Sequence, residues 1–196
     1  MLTNENRQMY IFLAVLTAAS MIGMQGYTIL FNNYAVEVVN LDGFHVGLTQ
    51  SIREVPGFLA LTAIYVMMVM REHRLAAISV AMLGVGVALT GYFPTFIGVS
   101  LTTLLMSFGF HYYETVNQSL TLQYFSTHQS PLVMGKLRSL AAVSSVVSAA
   151  LIWVLGFWMD FKGMFMVVGG VVFIAGIWAA TKDPTHKSIP PQKLKM

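Results

Sequence analysis

The chain has no cysteine, and only 10% of its 196 residues are Asp, Glu, Lys or Arg. The first absence excludes disulfide staples and thiolate metal sites. The second excludes an ordinary solvated surface, because soluble domains carry roughly 25% charged residues. Catalytic signatures are missing as well. There is no phosphate loop and no CxxC, and REHRL and HYYET both fail the spacing of a zinc-binding HExxH helix. MSFGF does not supply the Gly-x-Ser-Gly-like nucleophile of an intramembrane serine protease. A net charge of +3 gives no basic surface for nucleic acid. The chain is therefore expected not to be an enzyme and to use no metal and no cofactor.

What remains is apolar. Hydrophobic residues make up 56% of the chain, and the mean hydropathy is +0.69. A crossing helix takes about 20 predominantly apolar residues. Six stretches qualify, near 9–31, 47–70, 75–92, 96–124, 139–158 and 164–180. The expectation is an all-α, polytopic membrane protein in contact with a lipid bilayer, with residues 1–8 before the first crossing and a basic tail at 181–196. The third crossing stops before Pro94, since the residue preceding a proline is pushed out of helical geometry. No cleavable signal peptide is evident, and the first apolar run reads as a retained helix.

Lys and Arg collect on the cytoplasmic side of a membrane. With the N-terminus inside, nine of the eleven basic residues fall in cytoplasmic segments, among them Arg7, Arg71, Arg74, Lys136 and Arg138. Only Lys162 falls outside, and Arg53 lies within the second crossing. Both termini are thus expected in the cytoplasm. His45, His73, His128 and His186 are expected in loops or the tail.

The polar residues are unevenly shared. The third and sixth crossings hold little beyond apolar and small side chains, so lipid is expected over most of their surface. The fifth, SLAAVSSVVSAALIW, repeats small residues and predicts a close-packing face. The first crossing carries Gln25 and Tyr27. The fourth contains HYYETVNQSLTLQ, in which His111, Glu114, Gln118 and Thr121 share one helical face. Polar groups in the first helix of each triplet and a bland third helix are what a 3+3 repeat would leave.

Ionisable side chains at membrane depth are costly and usually face a bundle interior or water. The embedded set is Arg53, Glu54 and Glu114, with His111 one turn from Glu114. At 1.5 Å per residue, Arg53 lies about 9 Å below the outer end of its helix and Glu114 about 27 Å below the outer end of its own. A direct pair between them is excluded. Adjacent helical residues point about 100° apart, so Arg53 and Glu54 are not expected to meet; they are assigned to an outer gate or interhelical lock. Pro56 is expected to bend the helix rather than end it. Gln25, Tyr27, His111, Glu114 and Gln118 are the candidate substrate or proton pathway. A polar helix face that docks another subunit is the competing possibility, in a membrane scaffold that transports nothing.

LDGFHVGLTQSIREVPGFLA and GFHYYETVNQSLTLQYF, most specifically REVPGFLA and FHYYETVNQSL, resemble a bacterial branch of the major facilitator superfamily, and the similarity covers almost the whole chain. The resemblance implies the N-terminal six-helix half of a twelve-helix secondary transporter in the bacterial inner membrane, carrying a small-molecule solute by alternating access. It implies that crossings 1, 2, 4 and 5 line the cavity or the bundle interface, and that 3 and 6 face lipid. The superfamily's Gly-x-x-x-Asp-Arg-x-Gly-Arg-Arg loop is reduced to MREHRL, keeping basic character at Arg71 and Arg74. The arginine often linked to proton coupling is absent from crossing 4, with Glu114 in that region, and the Gly-Pro motif of drug antiporters is absent from crossing 5. The resemblance also implies a partner: a second six-helix bundle, from further chain or a dimer mate, with the basic tail as the start of the linker.

Overall fold

The computed structural model describes residues 4–185. Residues 1–3 and 186–196, and with them His186, Lys187, Lys193, Lys195 and most of the expected linker, lie outside the described residues. Within the described residues all regular structure is helical. The helices are α1 (Asn4–Glu37), α2 (Gly43–Phe58), α3 (Thr62–Val69), α4 (Glu72–Thr90), α5 (Phe96–Tyr124), α6 (Ser130–Leu155) and α7 (Phe161–Ala180).

Five segments are long and apolar enough to cross a membrane: α1, α2 together with α3, α4, α6 and α7. At 29 residues α5 spans about 43 Å, which is long enough. Its hydroxyls and its polar second half keep it out of the apolar set. The described residues are thus all-helical in their regular structure, with the make-up of a multi-pass membrane protein.

Local chemistry places the helix ends. Asp42, Thr95 and Asp160 cap α2, α5 and α7, each accepting a hydrogen bond from the backbone N–H three residues on. The His45 backbone N–H, and then its imidazole, hold the Asp42 carboxyl below the usual carboxylate range. α6 opens at Ser130 with Pro131 in its first turn, where a missing N–H costs nothing. The Ser130 hydroxyl donates to the carbonyls of Phe125 and Ser126. This start lies well before the expected position 139, and it moves Lys136 and Arg138 from a cytoplasmic loop onto the helix.

Crossing 2 is divided. Pro56 lies inside α2, and after Phe58 a single 3-10 turn, Leu59–Leu61, leads into α3. Proline removes one backbone donor and pushes away the carbonyl four residues earlier. Near the break the Ser107 hydroxyl of α5 donates to the Arg53 carbonyl, and Thr62 shares a 2.6 Å hydrogen bond with Tyr112. These bonds join the two sides of the break to α5; neither reaches the Ile52 carbonyl, which loses its helical donor at Pro56.

α4 forms the centre of the packing. A Cβ on Gly84 would lie 2.4 Å from the Phe173 nitrogen of α7, and one on Gly169 would lie 2.4 Å from the Ala88 nitrogen of α4. On another side, a Cβ on Gly109 of α5 would lie 2.4 Å from the Ser79 carbonyl oxygen. Small residues let helix backbones approach this closely, and dispersion along the contact stabilises the pairing where no hydrophobic gradient exists. Of its most apolar stretch, 61% is buried, against 11% for α2 with α3 and 28% for α6. This corrects the expectation of lipid over most of the third crossing. Its bland sequence is suited to contact with other helices on several sides. The sixth crossing, α7, is buried along 39% of the corresponding stretch, with Ile174 and Ile177 exposed.

The small-residue spacing of the fifth crossing does make a packing face. Ala141, Ser144 and Ser148 are buried on α6, and the Ser148 hydroxyl donates to the Ile22 carbonyl of α1 at 3.1 Å.

The beginning of α1 and the end of α7 meet at one end of the bundle, where Gln8 and Phe12 border the same recess as Trp178 and Lys182. At that end Arg71 lies 3.6 Å from Asp183, and the buried His73 lies 3.9 Å from the same carboxylate. A hydrogen bond from the Thr185 side chain holds the Asp183 carboxyl below the usual carboxylate range, helped by the Thr185 backbone N–H and by His73 and Arg71.

Candidate functional site

The second half of α5 presents two polar sides, and they meet different neighbours. One turns toward α2. The His111 ring lies on the backbone beside the Pro56 break, so close that a Cβ on Gly57 would be 3.1 Å from its Cε1. The other side turns toward α1 and α6 and borders an open cavity. Thr17, Glu114, Asn117, Gln118, Leu137 and Arg138 contribute to its wall.

Glu114 and Arg138 form its charged element. The Arg138 Nη2 donates to Glu114 Oε2 at 3.1 Å, with the guanidinium side chain 68% exposed and the carboxylate 22% exposed. Depth follows from helix geometry. Glu114 stands ten residues, about 15 Å, before the end of α5 at Tyr124. Arg138 stands eight residues, about 12 Å, after the start of α6 at Ser130. The pair therefore sits roughly one-third of the way in from the end of the bundle where α5 stops and α6 begins. Arg138 is the residue the sequence expectation missed, because a basic residue before an apolar run looks like a loop. Pro131, the proline that opens α6, was the available signal.

Buried polar groups surround the pair. Tyr113 is fully buried, shares a 2.8 Å hydrogen bond with the Thr17 hydroxyl and donates to the Leu13 carbonyl at 3.2 Å. This fixes the α1 wall against α5. The Asn117 side-chain oxygen is buried without a hydrogen-bond partner among the described residues. Gln118 is exposed at the cavity's edge. Taken together, the cavity offers one carboxylate, one guanidinium and two amides, with no net charge when both ions are formed.

The other expected site residues lie elsewhere. Tyr27 has no exposed surface; its hydroxyl shares a hydrogen bond with Thr103 and its ring stacks on Phe31 with centroids 5.2 Å apart. It ties α1 to α5 inside the core and does not border the Glu114 cavity. Gln25 is half-buried on α1, also outside that lining. His111 packs on α2, so the expected single face of His111 and Glu114 is divided between two neighbours.

Arg53 and Glu54 do meet, contrary to the sequence expectation. Arg53 Nε and Nη2 donate to Glu54 Oε1 at 3.1 and 2.9 Å. The 100° between adjacent Cβ directions is overcome by the length of the arginine, which folds back around the helix to its neighbour. Their pairing is within α2. Across helices, the Arg53 carbonyl accepts a hydrogen bond from Ser107 of α5. Of the loop residues, Arg71 pairs with Asp183, and Arg74 is exposed on the first turn of α4. Among the described residues no group of three or more His, Asp or Glu side chains is arranged to hold a metal ion.

No family model, curated protein or solved structure matches this chain.

Proposed function

We propose that this chain is the N-terminal half of a secondary active transporter of the major facilitator type, moving a small polar solute by alternating access once a second six-helix bundle covers its open side. One observation carries the reading: a carboxylate and a guanidinium stand paired inside the bundle, roughly one-third of its length from the end where α5 meets α6, at the wall of an open cavity. Ionisable groups at membrane depth are retained where they face water, substrate or each other. Here the pair does two of these at once, leaving the guanidinium largely open.

Two further features support it. α2 with α3, and α6, are the least covered segments of the chain, which suits helices that a second bundle would meet. The described ends of the chain lie at the same end of the bundle, as an even number of crossings requires, and the positive-inside rule puts that end in the cytoplasm. In this reading α1 and α5 open two three-helix repeats. Glu114 binds solute or a proton, and Arg138 compensates its charge while the site is empty.

The test is uptake by the protein reconstituted with its second bundle. Glu114→Gln should abolish uptake while the folded yield in the membrane is kept. Undiminished uptake would remove Glu114 from the mechanism. The exposed Arg138 guanidinium also favours a second reading, a scaffold in which this face docks a partner helix. Crosslinking of Arg138 positions to a partner, with stability that depends on the partner and no solute flux, would establish that reading instead.

A further inference from the structure

We infer that the Glu114–Arg138 cavity takes a small zwitterion, a solute of the α-amino-acid kind with one ammonium and one carboxylate. The inference rests on the transporter reading for the site's role, but the binding it describes needs only this chain.

The argument is one of charge compensation. In the structure each ion is neutralised by the other through a single hydrogen bond, Arg138 Nη2 to Glu114 Oε2. A guanidinium has five N–H donors in a planar fork that matches a carboxylate bidentately. One bond to Glu114 leaves most of that fork for a ligand, and the side chain is open to receive it. A carboxylate carries two oxygens, and Glu114 is engaged through one of them. A zwitterion that parts the pair gives each protein ion a new opposite charge. One ion pair becomes two, and the total charge of the site stays at zero.

Other ligand classes fail this condition. A monocarboxylate would satisfy Arg138 and leave Glu114, whose side chain is 22% exposed, without its counter-ion. An amine would do the reverse. Losing the partner ion forfeits the charge-assisted hydrogen bond that the pair makes. An uncharged sugar has no group that replaces either ion, so the pair would have to remain closed and block part of the cavity. The amides add a second criterion. Gln118 brings an exposed amide to the edge, able to bond the ammonium or polar side group of a compact ligand, and Asn117 lines the wall with its unpartnered oxygen buried behind it. Thr17 contributes shape more than bonding, since its hydroxyl is already shared with Tyr113.

The experiment is a binding panel on the whole chain in lipid nanodiscs, read as the ligand-dependent rise in unfolding temperature. The probes are L-alanine and glycine, with propionate, propylamine and glucose as contrasts. The two amino acids should give a saturable rise and the contrasts none. Two charge-removing variants then read the mechanism. Glu114→Gln should weaken alanine binding about tenfold or more and make propionate the preferred probe, because Arg138 is left without its counter-ion. Arg138→Gln should do the same for propylamine. The exchanged pair Glu114→Arg with Arg138→Glu keeps both charges and guards against misfolding; it should still prefer alanine over either ion. Propionate, propylamine or glucose as the best ligand of the unaltered protein would overturn the zwitterion, while uptake of that same solute would leave the transporter reading standing. Absence of binding by every probe, or variants that leave the preference unchanged, would also overturn it. Alanine binding without uptake after the second bundle is added would retain the ligand class and remove the transporter.

Discussion

At the scale of single residues, the fold depends on atoms that are not there. Gly84, Gly86 and Gly109 lie where a neighbouring backbone already occupies the space of a side chain. Gly84→Ala places a Cβ 2.4 Å from the Phe173 nitrogen, and backbone cannot swing aside as the tip of a flexible side chain can. The expected cost is about 1–3 kcal/mol, as for other overpacked cores. Gly170, on the same helix as Gly169, has nothing within 4 Å of its would-be Cβ. Gly170→Ala should therefore be neutral or stabilising by up to about 1 kcal/mol, through lower backbone entropy in the unfolded chain. Thermal unfolding of both variants in the same detergent checks the contrast; equal effects would show that the close approach of α4 and α7 is not the cause. Tyr27 teaches a related lesson. Its polar tip in an apolar run resembled a cavity residue, yet the hydroxyl is consumed by Thr103 in the core. A residue's type shows that it needs a partner, and only the fold shows whether the partner is protein or solute.

At the scale of elements, the break in crossing 2 is the most informative feature. The proline in α2, the 3-10 turn behind it and the hydroxyls of Ser107 and Tyr112 form one unit. Pro56→Ala restores a backbone N–H able to bond the Ile52 carbonyl. Amide hydrogen exchange across 56–62 should then slow, and unchanged exchange would mean that the turn is imposed by α5 rather than by proline. The six apolar stretches all fall on helices, because about 20 apolar residues in a row have few alternatives; 96–124 matches the bounds of α5, although its polar second half keeps it out of the apolar set. The start of α6 was hidden. Lys136 and Arg138 made 130–138 look like a cytoplasmic loop, and the ion pair that defines the site was hidden with them. The burial of α4 was illegible for a different reason. In a membrane, the side chains that suit lipid and those that suit a helix interface are chemically alike. Gly84 and Gly86 hinted at close packing without saying which helices would use it.

At the scale of the whole molecule, the segment leaving α7 is tied back to the loop between α3 and α4 by Asp183, which faces Arg71 and His73. The Asp183 carboxyl is held below its ordinary range, first by the Thr185 side chain. The sign follows directly. A carboxyl depressed in the folded state contributes above its unfolded value, near 3.9, and that contribution is lost as the pH falls through the lower folded value. Protease cleavage at 182–185 should thus be slow near neutrality and rise only below about pH 4. Asp183→Asn should be cleaved readily at both. Equal rates for the two proteins at pH 7 would show that the carboxylate does not hold the segment. The larger consequence concerns the trio of α4, α5 and α7. Helices whose main chains touch at several glycines have little slack in which to slide. Whatever shape change accompanies function must leave those three travelling as one block, and the hinge has to be sought where crossing 2 is severed and only Ala63 of α3 is sheltered.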